Sequence, residues 1–302
     1  MDLSIIVLSY NTKDITDECL TRLQVSVDRC QKELNNNVEV IVIDNASEDG
    51  SLEMIKIKHP WVKLIASKEN TGYSKGNNIG IRRAKFPIIL LINSDVFVEK
   101  DTLYEALEYF KIHPDCDVLG INLRFGDGSF QPSAGYLPTP KNISAWILGI
   151  SLIPGIKMLT HPFHPNSKSF FQKARLVGWV SGAFFMVKKE VIKTVGGFDE
   201  KIFMYMDEVD LCKRIKNAEG KIWYVPTIKA THLHGASSKF DPTLSLINEL
   251  KGLKVYFKKY YQDSYSLVRL FLALGLLLRI VAFSLLGKTE RAIAYMKGLS
   301  VI

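Results

Sequence analysis

Ile88-Ile89-Leu90-Leu91-Ile92 is an unbroken apolar run that stops at Asn93-Ser94-Asp95 and resumes as Val96-Phe97-Val98. A short run of this kind, with no polar alternation, is a strand buried on both faces, as in the parallel sheets of α/β proteins. Such sheets bind ligands in the crevice beyond the carboxyl ends of their strands. The chain therefore delivers Asp95 to a place where a hard cation or a ligand can meet a carboxylate.

The segments before this run repeat one theme. Strand patterns at 3–8, 38–43 and 62–66 alternate with helical patterns at 15–33, 51–58 and 74–84. Strands separated by helices of this length give a right-handed parallel sheet. Gly-x-Gly-x-x-Gly is missing after the first strand, which argues against a dinucleotide oxidoreductase. Beyond Asp95 the style changes. A helix is expected at 102–113, closed by Pro114, and a hairpin at 122–130 around Asp127-Gly128. Residues 132–173 hold Pro138, Pro140, Pro154, Pro162 and Pro165 with His161 and His164, and read as an irregular lid or binding loop with one apolar segment at 143–153. A strand at 177–187, a helix at 207–218 stopped by Gly220, and a last strand at 222–225 ended by Pro226 complete this part.

The net charge of +8 raises the question of an anionic partner. From residue 249 onward there are nine basic residues against three acidic ones, and they flank the apolar stretch 266–283. That placement favours a membrane surface over nucleic acid. The stretch is nearly long enough to span a bilayer, but Arg279 near its middle would cost about 2.5–3.5 kcal/mol on insertion scales. The preferred reading is a helix lying in the interface. Residues 251–291 then meet the membrane, with Tyr256, Phe257, Tyr260 and Tyr261 beside Lys258 and Lys259 at headgroup level. A homo-oligomer contact and a true span are the alternatives. The division that follows is a catalytic domain at 1–240 and a helical, membrane-associating region at 241–302. Cys19, Cys30, Cys116 and Cys212 show no metal or disulfide spacing, so reduced, buried thiols are expected. With no signal-peptide pattern at the amino terminus, the expected location is the cytoplasmic face of a membrane, held peripherally.

Several strand ends carry candidate chemistry. Ser9-Tyr10-Asn11 offers an aromatic face and polar edges, and Asp44 can accept the imide N–H of a pyrimidine. The competing reading makes Asp44 and Asp49 caps of the following turn and helix, and for Asp49 capping is preferred. Glu69 to Asn78 includes Asn70, Gly72, Lys75, Asn77 and Asn78 at the start of a helix, a candidate anion cradle. Asp207 and Glu208 begin another helix, where the dipole alone favours acids but a general base would also be placed. Asp210 and Arg214 have the spacing of a surface pair. His232 and His234 follow the last strand.

In this order these pieces resemble the family 2 glycosyltransferases of the GT-A (Rossmann-like) fold, notably the rhamnosyltransferase-like branch of bacterial polysaccharide assembly. The resemblance rests on Ser9-Tyr10-Asn11, Asp44-Asn45-Ala46-Ser47, Asn70-x-Gly72-Tyr73 to Asn78, Asn93-Ser94-Asp95, Gly182-Ala183, Gly196-Gly197-Phe198-Asp199-Glu200, Asp207-Glu208-Val209-Asp210-Leu211 and His232-x-x-Gly235-x-Ser237. It implies an α/β fold with a mostly parallel sheet and a nucleotide-binding surface of Ser9, Tyr10, Asn11, Asp44, Asn70, Gly72, Asn77, Asn78 and Ser94. It implies that Asp95, the last acid of the family's Asp-x-Asp motif, holds Mg2+ or Mn2+ with help from His232; Asn93 stands where the first acid would be. It makes Glu208 the base, with Asp207 its competitor because the usual Glu-Asp order is reversed. Trp179, Ser181, Gly182 and Ala183 would line the donor and acceptor pocket, although core packing explains Trp179 equally well. The implied reaction is inverting transfer from a dTDP- or UDP-sugar, best dTDP-rhamnose, to a lipid-linked glycan acceptor. A catalytically weak glycan- or nucleotide-binding partner is the alternative of a different class.

Overall fold

The computed structural model describes residues 1–150, 161–233 and 242–302. His234, Gly235, Ser237 and the end of the 143–153 segment lie outside them. Strands β1 (Leu3–Ser9), β2 (Val38–Asp44), β3 (Lys63–Ala66) and β4 (Ile88–Asn93) pair in parallel in the order β3-β2-β1-β4. Helices α1 (Lys13–Leu34), α2 (Ser51–Lys58) and α3 (Gly72–Arg83) connect them. Ile88 to Ile92 are buried without interruption, as expected of a central strand. Helix α3 lies close against β1 because it presents glycines there. A Cβ on Gly76 would meet Leu8 at 2.6 Å, and one on Gly80 would meet Ile6 at 2.4 Å.

The other half of the sheet is mixed, not mostly parallel. After β5 (Val96–Val98) and α4 (Thr102–Ile112) come β6 (Val118–Arg124), the short β7 (Ala134–Gly135), α5 (Pro140–Ile147), β8 (Arg175–Leu176), β9 (Trp179–Val180), β10 (Phe184–Lys188) and α6 (Lys189–Val195). Then follow α7 (Asp207–Asn217) and β11 (Ile222–His232). β10 runs antiparallel between β4 and β6, β6 and β11 pair in parallel, and β5 closes the edge antiparallel to β11.

Three expected boundaries differ. The hairpin at 122–130 is the end of β6 plus a turn joined by one Arg124–Phe130 bridge. The 177–187 strand is broken into β9 and β10 by Ser181-Gly182-Ala183, whose small residues allow a turn. β11 does not stop at Pro226. The register slips between Val225 and Lys229, and the irregularity absorbs a proline that cannot donate to the ladder.

The chain closes with α8 (Pro242–Tyr260), α9 (Gln262–Leu285) and α10 (Thr289–Leu299). α8 buries Leu250, Leu253, Tyr256 and Phe257 in the core that also holds Trp179, Val209 and Tyr224. Tyr256 and Phe257 are thus not headgroup aromatics, since both are fully buried. The Asp210–Arg214 pair is not a surface pair either. Asp210 is 0% exposed and accepts from Arg214 Nε, Lys259 Nζ and the Tyr260 hydroxyl, each at 2.8 Å. Lys259 also reaches Asp199 at 2.8 Å. Burial works against its charge, but those carboxylates outweigh it and lift Lys259 to about 12. The network fastens α8 onto α7.

Removing one member of a buried ionic network leaves the others without partners. Asp210→Ala should therefore lower the unfolding free energy in urea by about 3 kcal/mol. Lys111→Ala, which removes an exposed pair with Glu108, should stay within about 0.5 kcal/mol.

Candidate active site

Pairing registers bring the candidate residues to one edge of the sheet. Ser9 lies beside Asp44, Leu8 beside Asn93, and Asn93 N–H donates to Ala183 C=O at 3.1 Å. On the far side His232 pairs with Val96, and Leu233 N–H donates to Asp95 C=O at 2.9 Å. Two adjoining cavities of about 270 and 300 Å³ open above this edge. They share Tyr73, Asn93, Asp95, Met204 and Tyr205.

The first cavity is walled by Asp95, His232, Asp207, Glu208, Trp179 and the 181–183 turn. His232 Nδ1 lies 3.2 Å from Gln131 Oε1, and its Nε2 lies 3.3 Å from Asp95 Oδ1. An Nδ1–H donated to Gln131 turns the Nε2 lone pair toward the Asp95 carboxylate, the tautomer-fixing arrangement that metal-binding histidines use. Two such donors fit a small divalent cation that takes the rest of its shell from a ligand and water. Among the described residues no cluster of three His, Cys, Asp or Glu side chains is placed to hold a metal.

Across the cavity, Asp207 and Glu208 start α7. Burial, and then the neighbouring Glu208 charge, pushes the Asp207 carboxyl well above the usual range. Asp207 is 3% exposed, with Oδ2 buried and without a hydrogen-bond partner. Burial raises Glu208 as well, and Asp207 holds it back. Both carboxyls are thus held above their ordinary values, and they titrate as a pair. The dyad is set by a strained approach, because Tyr205 and Met206 both adopt φ of 65°. Gly252 of α8 backs them, where a Cβ would come within 2.7 Å of Met206 Cβ and 2.9 Å of Tyr205 O. Tyr73 donates its hydroxyl to Gly182 C=O at 2.7 Å. Its phenol is held protonated by burial and by the two acids.

The second cavity is lined by Tyr10, Asn70, Gly72 and Ser94, as expected, together with Leu8, Asn45, Phe203, Leu244, Ser245 and Asn248. Gly72 adopts φ of +75°, and a Cβ there would meet the Phe203 ring at 2.6 Å, so the position requires glycine. Asp44, expected to hold the base, lines neither cavity: it is 2% exposed, its Oδ2 accepts from Ser47 N–H, and its Oδ1 is buried without a partner. Asn11 is exposed and accepts from Glu48 N–H, pinning the first turn to the second.

Three expected nucleotide contacts are structural instead. The Ser9 hydroxyl is fully buried and bonded to Thr16 at 2.9 Å. Asn77 donates to Tyr73 C=O within α3. Asn78 clamps both backbone groups of Phe198 and reaches Glu200. No anion cradle forms from them, and Lys75 faces Glu69 at 3.7 Å. Residues that sequence reasoning had not assigned to the site include Asn45, Gln131, His164 and Tyr205. Of these, Asn45 had a signal as part of the Asp44-Asn45-Ala46-Ser47 motif, and His164 as a histidine in the long proline-rich segment. His164 reaches Glu249 of α8 at 2.9 Å and lines the first cavity.

Comparison with known proteins agrees with this geometry. A rhamnosyltransferase of Mycobacterium tuberculosis, N-acetylglucosaminyl-diphospho-decaprenol L-rhamnosyltransferase, is 28% identical over 274 residues, covering 84% of this chain and 83% of its own. Rhamnosyltransferase WbbL of Escherichia coli is 25% identical over 236 residues, covering 76% and 82%. In fold, the chain resembles a mannosyltransferase of Pyrobaculum calidifontis solved with GDP-Man and Mn2+, with a TM-score of 0.59 at 16% identity over 98% of this chain and 85% of that one. Residues 4–196, which contain nearly all the strand ends just described, match the profile of glycosyl transferase family 2, and the chain belongs to that family.

Proposed function

We propose that the protein is an inverting glycosyltransferase that moves L-rhamnose from dTDP-rhamnose to a hydroxyl of a lipid-linked glycan acceptor. The observation that carries the reading is one cavity holding a carboxylate dyad opposite Asp95 and His232. The relatives' names point to the sugar and to a polyprenyl diphosphate acceptor.

The adjoining cavity takes the nucleoside, with Tyr10 as its aromatic face and Asn45 and Asn70 among its polar lining. Trp179 and the 181–183 turn bound the reacting sugar. Glu208 takes the acceptor's hydroxyl proton as that oxygen bonds to the anomeric carbon. The bond from that carbon to the diphosphate oxygen breaks on the opposite face, and the electron pair leaves with the nucleoside diphosphate. A Mg2+ or Mn2+ ion held by Asp95 and His232 would neutralise the charge growing on that leaving group.

Glu208→Gln should reduce kcat by about 10²–10⁴-fold, the usual worth of a general base. Asp207→Asn, which keeps a neutral polar group beside Glu208, should cost less than about tenfold; the reverse ranking would move the base to Asp207. Protonating the base stops turnover, so kcat/KM should fall on acidification, with its acid limb above the ordinary glutamate value of 4.5. Stability has the opposite sign. The Asp207 pKa is higher folded than unfolded, so its contribution is complete below the unfolded value near 3.8 and is lost as pH rises through the folded one. Asp207→Asn should flatten that decline in a urea titration against pH.

Titration calorimetry tests the ion. Donor binding should strengthen with Mg2+ or Mn2+, and Asp95→Ala or His232→Ala should remove that gain. Binding indifferent to EDTA would exclude the metal role. A donor screen reading nucleoside diphosphate release should rank dTDP-rhamnose above UDP- and GDP-sugars; a UDP-sugar in first place would reassign the donor.

A further inference from the structure

Helix α9 has two apolar faces with different fates. Val268, Leu272, Gly275 and Leu276 are buried. Gly275 allows close contact with α5, where a Cβ would meet Ile147 at 2.6 Å. Arg279, on the same face, donates to the Ile147 and Gly275 carbonyls. The charge that seemed misplaced in an apolar helix therefore ties it to the body of the protein.

The opposite face carries Leu267, Leu270, Leu274, Leu277, Leu278, Val281 and Leu285, all exposed, up to 83% at Leu285. Ile293 and Met296 of α10 are exposed as well. The two helices form one hairpin, with Phe283 and Tyr295 stacked at 5.6 Å and Arg291 over the Phe283 ring. An apolar stripe of this length is not left to water by a stable monomer.

We infer that the outer face of the α9–α10 hairpin lies in the plane of an anionic lipid surface. Charge decides between lipid and a second copy. Arg269, Lys288, Arg291 and Lys297 are exposed around the stripe, with Asp263 and Glu290 as the acids of this hairpin. A second copy would bring cations against cations, whereas phosphate headgroups complement them while acyl chains take the leucines. The helix is long enough to cross a bilayer, but crossing would tear Gly275 and Arg279 from Ile147. It lies flat instead. The same contact orients the site, because Trp146 of α5 lies 5.9 Å from His164, which lines the cavity beside Glu208. This last point rests on the lipid-linked acceptor proposed above.

The test is co-sedimentation of the full chain with vesicles of phosphatidylcholine alone or with phosphatidylglycerol. Binding should be about tenfold stronger with the anionic lipid, and Leu274→Glu with Leu278→Glu should weaken it at least about tenfold. Arg291→Glu with Lys297→Glu should erase the preference for phosphatidylglycerol. Alkaline carbonate should release the bound protein. The inference fails if vesicles are not bound, if the leucine pair is irrelevant to binding, or if carbonate leaves the protein in the pellet as a span would be. It also fails if sedimentation equilibrium shows a dimer that the leucine pair dissociates. Turnover with a short water-soluble acceptor, measured without vesicles, keeps the two claims apart. Failure of the unaltered chain to bind vesicles, with its turnover intact, removes the docking face and leaves the enzymatic reading standing.

Discussion

The site depends on one strand pairing, that of the three-residue β5 with the last turn of the ladder in β11. β5 follows Asp95 at once, and β11 ends in His232. The hydrogen bond from Leu233 to the Asp95 carbonyl fixes the two backbones together, so the side chains meet across a gap of 3.3 Å. Every other member is placed relative to this junction. β4 supplies the carboxyl end from which Asp95 emerges, and β10 turns back beside Asn93 with the small residues of the 181–183 turn. Lose the junction and the carboxylate has no imidazole, whatever the rest of the sheet does.

A second constraint comes from far along the chain. α8 covers the start of α7, anchors Asp210 through Lys259 and Tyr260, and presses Gly252 against two left-handed residues. Such backbone costs on the order of 1–3 kcal/mol per residue and persists only where packing over-determines it. The family match ends at residue 196, before the dyad.

How much was legible follows from the range of the forces involved. The parallel half was readable because its strands are short, mostly apolar runs separated by helix-length polar-apolar segments, which are local signals. Ser51–Lys58 appears as read, and α3 starts two residues before its expected position. The dyad, Asp95 and His232 stood out as titratable groups at the edge of the sheet where such folds open a crevice, and the structure puts all four around one cavity. Ser9, Asn77 and Asn78 were misassigned for the converse reason. Polar residues near a ligand look the same in sequence as polar residues that close buried backbone bonds, and only the partner 120 positions away distinguishes Asn78. Asp210 and Arg214 show the same limit. Their spacing suggests an exposed pair, and the helix that buries them begins some thirty residues later.

The backing of Met206 by Gly252 also sets an order of events during synthesis. A chain emerging from the ribosome completes β1 to β4 while α8, which supplies Leu244, Ser245 and Asn248 to the second cavity, is still unmade. The two left-handed residues have nothing to hold them until α8 emerges and docks. The strand ends can thus be in place before the second cavity is complete. Chemistry waits for the carboxyl-terminal helices, the same helices whose outer face carries the leucines.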